Sequence, residues 1–279
     1  MSFSSIVSAL LDAQRQGLRP DCPECGRLYA EKEHPISGEV IRLRVGCPHE
    51  LEARDRQDQA QSRNASYTRW MAFNAALLPA LPSAVRLDDL EPTPAIAGAK
   101  RRVSAYLQNI ERVINLGQGL YLHGNPGTGK TAMACAIVAD LSERYFTACF
   151  LTAGQLIDGY KSRDVAQFRE MVQSVGFLII DDIGSEGVTD YSASKLFEGI
   201  NDRYASKKPI IITSNFSPTA LCSRYSRQLT AKGMSSDDAS MSVRRLLSRI
   251  AERCESVEFA GDDYRLRRRG WALLSGAGS

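Results

Sequence analysis

The residue types and spacing with the clearest chemistry lie at Gly124-Asn125-Pro126-Gly127-Thr128-Gly129-Lys130-Thr131, where Gly124, four residues and then Gly-Lys-Thr match a phosphate-binding P-loop. Backbone N–H groups turn inward around a phosphate in conformations that a β-carbon obstructs, so glycines recur, and the following helix adds its positive N-terminal end. Lys130 is expected to reach the β- and γ-phosphates and the Thr131 hydroxyl to ligate Mg2+. A second stretch, Phe177-Leu178-Ile179-Ile180-Asp181-Asp182, ends an apolar run in two carboxylates, the Walker B pattern. Asp181 is expected to hold the Mg2+ shell with Thr131, and Asp182 to orient or deprotonate the attacking water. A third run, Pro209 to Asn215, again ends in polar groups, with Asn215 expected to hydrogen-bond that water or the γ-phosphate.

A separate group sits near the start. Cys22-Pro23-Glu24-Cys25 and Cys47-Pro48-His49 offer Cys22, Cys25, Cys47 and His49 as soft ligands for a tetrahedral Zn2+, with His34 as an alternative fourth ligand. Four protein ligands leave no open position, so this metal is expected to be structural. The other cysteines, Cys135, Cys149, Cys222 and Cys254, are dispersed, and an odd total of 7 speaks against a disulfide framework.

These groups need elements to carry them. From Ala95 the pattern alternates helix and strand, which predicts an α/β fold with a parallel sheet flanked by helices. The pattern predicts a helix over Ile96–Asn115 and strands over Leu120–His123, Ala148–Leu151, Phe177–Asp182 and Pro209–Asn215. Strands buried on both faces deliver their C-terminal residues to the edge where doubly wound sheets bind ligands. Ahead of this lie a predicted helix over Ser2–Arg15, an alternating strand over Val40–Val45 and a polar helix or tether over Glu50–Arg69. Prolines 79, 82, 92 and 94 then punctuate the chain. The expected organisation is a zinc-binding, partner-docking domain over 1–75, a linker over 76–95 and a nucleotide domain over 96–279.

The 279 residues are 43% hydrophobic and 24% charged, which excludes wholesale disorder, and no apolar run is long enough for a bilayer. No basic leader precedes a cleavage site, so a cytoplasmic chain without membrane contact is expected. A net charge of +3 permits a local nucleic-acid patch without arguing for one.

In order and spacing, the P-loop, Leu178-Ile-Ile-Asp-Asp-Ile-Gly184, Ile211-Ile-Thr-Ser-Asn215, Ser248-Arg249-Ile250 and Gly261-Asp-Asp-Tyr-Arg265 resemble the AAA+ ATPases. The resemblance, from Leu120 to about Arg269, is to the helicase-loader and transposition-helper branch that includes the bacterial DnaC and DnaI loaders and the IstB proteins. It implies ATP as the nucleotide, Asn215 as sensor 1 and Arg265 as a sensor-2-like group. It also implies Arg249 as an arginine finger reaching a neighbouring subunit's nucleotide, and hence a homo-oligomer. From the residues alone, Arg249 also fits a basic helix stripe with Arg244, Arg245 and Arg253, and Arg265 a phosphate-binding tail with Arg267, Arg268 and Arg269. Arg224–Ser242 is long and polar for this branch, and the short stretch after Arg265 leaves no room for a full helical lid. The implied activity is ATP-dependent loading of a replicative, DnaB-like hexameric helicase onto single-stranded DNA. The N-terminal module would grip the helicase, and Tyr160, Lys161, Arg163 and Phe168 would face the DNA, although from the residues alone they equally fit a solvated helix with Phe168 packed into the core. The alternative is an IstB-like helper that binds duplex DNA and recruits a transposase.

Overall fold

The computed structural model of the chain describes residues 30–33, 40–43, 48–74, 85–91, 94–187, 189–261 and 263–264. The chain divides into two units, Met1–Ser66 and Tyr67–Ser279. In the first, β1 (Ala30–Glu33) pairs antiparallel with β2 (Val40–Leu43), Ala30 opposite Leu43 and Glu33 opposite Val40. The helix α1 (Pro48–Asn74) starts in this unit. Its residues 52–62 are all exposed, as a sequence with no apolar stripe requires. The helix expected over Ser2–Arg15 lies outside the described residues, as do His34, Cys22, Cys25, Cys47 and the side chain of His49.

The second unit is built on five parallel strands: β3 (Gly119–Gly124), β4 (Ala148–Thr152), β5 (Phe177–Ile183), β6 (Ile210–Ser214) and β7 (Cys254–Phe259), in spatial order β4-β5-β6-β3-β7. Period-two alternation sends Tyr121, Leu151, Leu178, Ile180 and Ile212 to one face. There they pack against α5 (Ala153–Gly159), α6 (Val165–Ser174), α7 (Asp190–Ala205), α8 (Pro218–Ala231) and α9 (Ser236–Arg253). Leu120, Leu122, Ile179, Ile211, Val257 and Phe259 go to the other face, under α2 (Pro94–Gln108), α3 (Ile110–Leu116) and α4 (Lys130–Glu143). Both faces being covered explains why β5 and β6 read as unbroken apolar runs up to their polar ends.

Three details differ from the sequence expectations. The single helix over Ile96–Asn115 is two helices, broken at Asn109, whose side-chain amide donates to the Ala105 carbonyl at 2.8 Å while its backbone leaves helical geometry. The polar stretch Arg224–Ser242 forms most of α8 and the start of α9, which is capped by Ser235 Oγ accepting from the Asp238 N–H at 3.1 Å. The edge strand β7 adds a fifth strand that the apolar runs alone had not marked.

Candidate nucleotide site

The loop from β3 into α4 carries the first half of the site. Gly124, Gly127 and Gly129 have φ of 142°, 73° and 96°, in the region that L side chains avoid, and Gly129 is the N-cap of α4. At Gly124 space is also denied, since an added Cβ would lie 2.2 Å from the Phe259 carbonyl oxygen, while at Gly127 it would lie 1.8 Å from Asp263 Oδ1 and displace that side chain. Lys130 is buried and its ammonium donates to the carbonyls of Gly124 (2.8 Å) and Asn125 (2.7 Å). Thr128 Oγ donates to Asn125 O at 2.8 Å, tightening the loop from within.

The second half comes from the ends of β5 and β6. Thr131 Oγ lies 3.0 and 3.1 Å from the two oxygens of Asp181, so the hydroxyl and carboxylate named from the sequence do meet. An oxygen-only donor pair of this kind suits a hard cation such as Mg2+, and Thr131 and Asp181 are the residues that would hold it. Asp181 is 7% exposed, and burial raises its pKa above the ordinary carboxylate value, against the opposing hydrogen bonds from Thr213 and Thr131. Asp182 has φ of 59°, and its Oδ1 accepts from Asn215 Nδ2 at 3.1 Å, joining the expected base to the expected sensor. Thr213, which the sequence reading did not single out, donates to Asp181 Oδ1 at 2.6 Å and accepts the Asp182 N–H at 2.8 Å.

Past β7, the chain crosses the P-loop. Asn125 Nδ2 donates to Gly261 O and the Tyr264 N–H donates to Gly127 O, both at 3.1 Å, while the Tyr264 hydroxyl bonds Glu91. Arg265 lies outside the described residues. Arg249 does not join this network. Its guanidinium bonds Asn201 Oδ1 and lies 5.7 Å from the Tyr204 ring centroid, both on α7. The expected DNA-facing aromatics need correction. Tyr160 and Phe168 are 3% and 5% exposed and stack edge to face, because α5 and α6 turn them into the core, so neither ring is open to a base. Lys161 and Arg163 are exposed beside them.

The chain is 25% identical to the replicative helicase loader DnaI of Bacillus subtilis over 249 residues, covering 86% of this chain and 75% of that protein. It is 28% identical over 186 residues to a Mycobacterium tuberculosis protein named for ATP binding and for its insertion sequence, covering 65% of this chain and 67% of that one. The crystal structure of DnaI superposes with a TM-score of 0.53 at 22% identity, over 63% of this chain and 91% of that chain, which shows a shared AAA+ P-loop fold. No helix among the described residues is long and apolar enough to cross a membrane. Residues 57–272 match the IstB-like ATP binding proteins, and with the P-loop, the paired carboxylates and the five-stranded parallel sheet in place, the chain belongs to that family.

Proposed function

We propose that this protein is an ATP-driven assembly factor that delivers a ring-shaped replicative helicase to single-stranded DNA. One observation carries the choice among its relatives' roles. The similarity to DnaI covers 86% of the chain, so it extends into the first unit, since Tyr67–Ser279 makes up only about three quarters of the residues. Similarity that reaches into the front unit supports a shared partner-gripping role. A second reading, a transposase helper acting on duplex DNA, draws on the insertion-sequence relative, whose similarity covers the smaller share of 65% of the chain.

In this reading the chain hydrolyses ATP and uses it as a switch. P-loop amides and Lys130 bind the phosphates, and Mg2+ held by Thr131 and Asp181 would neutralise charge on them. Asp182, steered by Asn215, orients the attacking water and takes its proton. Arg249 reaches a neighbouring subunit's γ-phosphate, so catalysis waits for assembly, and its place outside the P-loop network supports a role in trans. Arg265 would follow as a sensor of the same phosphate.

Single-stranded DNA meets Tyr191 in place of Tyr160 and Phe168. Tyr191 is 52% exposed at the start of α7, with Lys161 Nζ 5.5 Å and Lys195 Nζ 5.7 Å from its ring centroid. An open aromatic face flanked by two cations suits a base stacked against a neutralised backbone. In the front unit, Cys22, Cys25, Cys47 and His49 bind a structural Zn2+. The β1–β2 pair falls between the two knuckles in sequence, which supports the reading, and zinc content of the purified chain tests it. The chain acts in the cytoplasm, where its DNA partners are.

The test is co-purification with the replicative helicase of the same source, with ATP and single-stranded DNA, using the full chain. Retention of the helicase is the expected result. Failure to retain it, together with ATP-dependent binding to duplex DNA, would establish the transposase helper instead.

A further inference from the structure

We infer that Thr213 is the positioning residue for both Walker B carboxylates, one hydroxyl fixing Asp181 through its side chain and Asp182 through its main chain. The inference rests on the reading of Asp181 and Asp182 as the groups that serve ATP hydrolysis.

The register between β5 and β6 changes at the two carboxylates. β5 and β6 run in step through Leu178 opposite Ile210, Ile179 opposite Ile211 and Ile180 opposite Ile212, but the next pair is Ile183 opposite Ser214. Between these pairs β5 spends two residues, Asp181 and Asp182, where β6 spends one, Thr213. That is a bulge, and a bulge takes a backbone donor out of the ladder. The donor is the Asp182 N–H, and Thr213 Oγ accepts it at 2.8 Å. A buried N–H needs such a partner. The same oxygen donates its proton to Asp181 Oδ1 at 2.6 Å, so both its functions are used at once.

The consequences fall on two groups. Asp181 is gripped from two sides, by Thr131 of the P-loop and by Thr213 of β6, which sets how it presents its oxygens. Asp182 is held at φ of 59°, an unfavourable conformation for a residue with a β-carbon, and the Thr213 bond supports it there. Two residues on, Asn215 holds the Asp182 carboxylate itself at 3.1 Å. Strand β6 and the residue that follows it therefore strap both carboxylates, and Thr213 is 1% exposed, closed off from any solvent that could replace it. Valine fills the same volume but can neither accept nor donate; serine keeps the hydroxyl and loses only the methyl.

The experiment compares wild type, Thr213→Val and Thr213→Ser in the full chain. It reads ATP hydrolysis against Mg2+ concentration, and binding of a fluorescent ATP analogue with Mg2+ and with EDTA. The valine variant is expected to lower kcat and raise the half-saturating Mg2+ about tenfold each, the scale of one lost hydrogen bond to a charged acceptor. Its EDTA binding should stay within about twofold of wild type, since the P-loop is untouched, and the serine variant should recover both losses to within about threefold. Should valine destabilise the sheet, which thermal melting reports, Thr213→Ala serves instead because it crowds nothing and is expected to match the valine losses. Wild-type kcat and Mg2+ dependence in the hydroxyl-free variants would overturn the inference, as would a serine variant impaired like valine. If wild type itself does not hydrolyse ATP, the functional reading fails separately. The Mg2+-dependent part of analogue binding then still decides the clamp, a loss supporting it and wild-type behaviour refuting it.

Discussion

Replacing Arg203 by Met removes a cation from the centre of the second unit. Arg203 is fully buried on α7, and its guanidinium donates to four main-chain carbonyls: Val172 (3.0 Å), Val175 (2.7 Å), Gly176 (2.9 Å) and Pro209 (2.6 Å). Burial pulls its pKa down to about 9, which still leaves it charged at neutral pH. These acceptors are the end of α6, the turn into β5 and the residue before β6, so one side chain ties together the starts of two strands whose far ends carry Asp181, Asp182 and Thr213. Methionine fills similar space with no donor. Four carbonyls losing a partner cost roughly 1 kcal/mol each, offset in part by relief of the buried charge, for a net loss of about 3 kcal/mol. For a unit of this size that lowers the melting midpoint by about 10 °C. Lysine keeps the charge but not the planar fork, and is expected to lose about half as much. Differential scanning calorimetry on the three proteins checks this. A methionine variant melting within about 2 °C of wild type would show that the four bonds are not what holds the strand starts in place.

Other expectations concern the site and its partners. Tyr191→Ala should weaken binding to an oligo-dT strand by about 5- to 100-fold in fluorescence anisotropy, the worth of one stacked base, and Lys161→Ala should reduce the slope of log affinity against log salt by about 0.7. Gly127→Ala combines a φ of 73° with a Cβ 1.8 Å from the Asp263 carboxylate, so the loop or that side chain must shift, and titration with an ATP analogue should show about tenfold weaker binding. Asp181→Asn should raise the melting temperature of the Mg2+-free protein at pH 7 while abolishing Mg2+-dependent hydrolysis. The sign follows from linkage: the folded pKa lies above the unfolded 3.8, so the native state binds its proton more tightly and loses stability as pH rises through that window. The gain from asparagine should therefore be full above the raised pKa and vanish below the unfolded value.

That the P-loop, Asp181, Asp182 and Asn215 would come together was legible in the sequence, because glycines, a Lys-Thr pair and paired carboxylates stand at fixed spacing beside apolar strands. Thr213 was hidden within the same Thr-Ser-Asn stretch. Its importance comes from a bulge in the neighbouring strand, and a one-residue change of register between β5 and β6 leaves no local mark. Which aromatics are exposed was left open in the sequence for a related reason. Tyr160 and Phe168 sit among cations in sequence, but sequence neighbours do not reveal which helix face meets the core. The lysines over Tyr191 come from one turn along α7 and from the α5–α6 junction, a pairing only the fold creates. Asn109 shows the limit on helix lengths, since apolar spacing continued through it while its side-chain amide bonded back to the main chain. Arg203 was not singled out in the sequence, since nothing local announces four buried carbonyls awaiting it.

The central claim is that each ATP site is completed by a neighbouring subunit, with Asp182 acting in cis and Arg249 in trans. Mixing two variants tests it directly: Asp182→Asn keeps the arginine but cannot activate water, and Arg249→Ala keeps the carboxylate but cannot reach across. Each alone should show little ATP hydrolysis on single-stranded DNA, while an equal mixture should recover about a quarter of the wild-type rate, the share of randomly paired interfaces that unite one intact group of each kind. A mixture no more active than the separate variants, or an Arg249→Ala protein as active as wild type, would contradict the account.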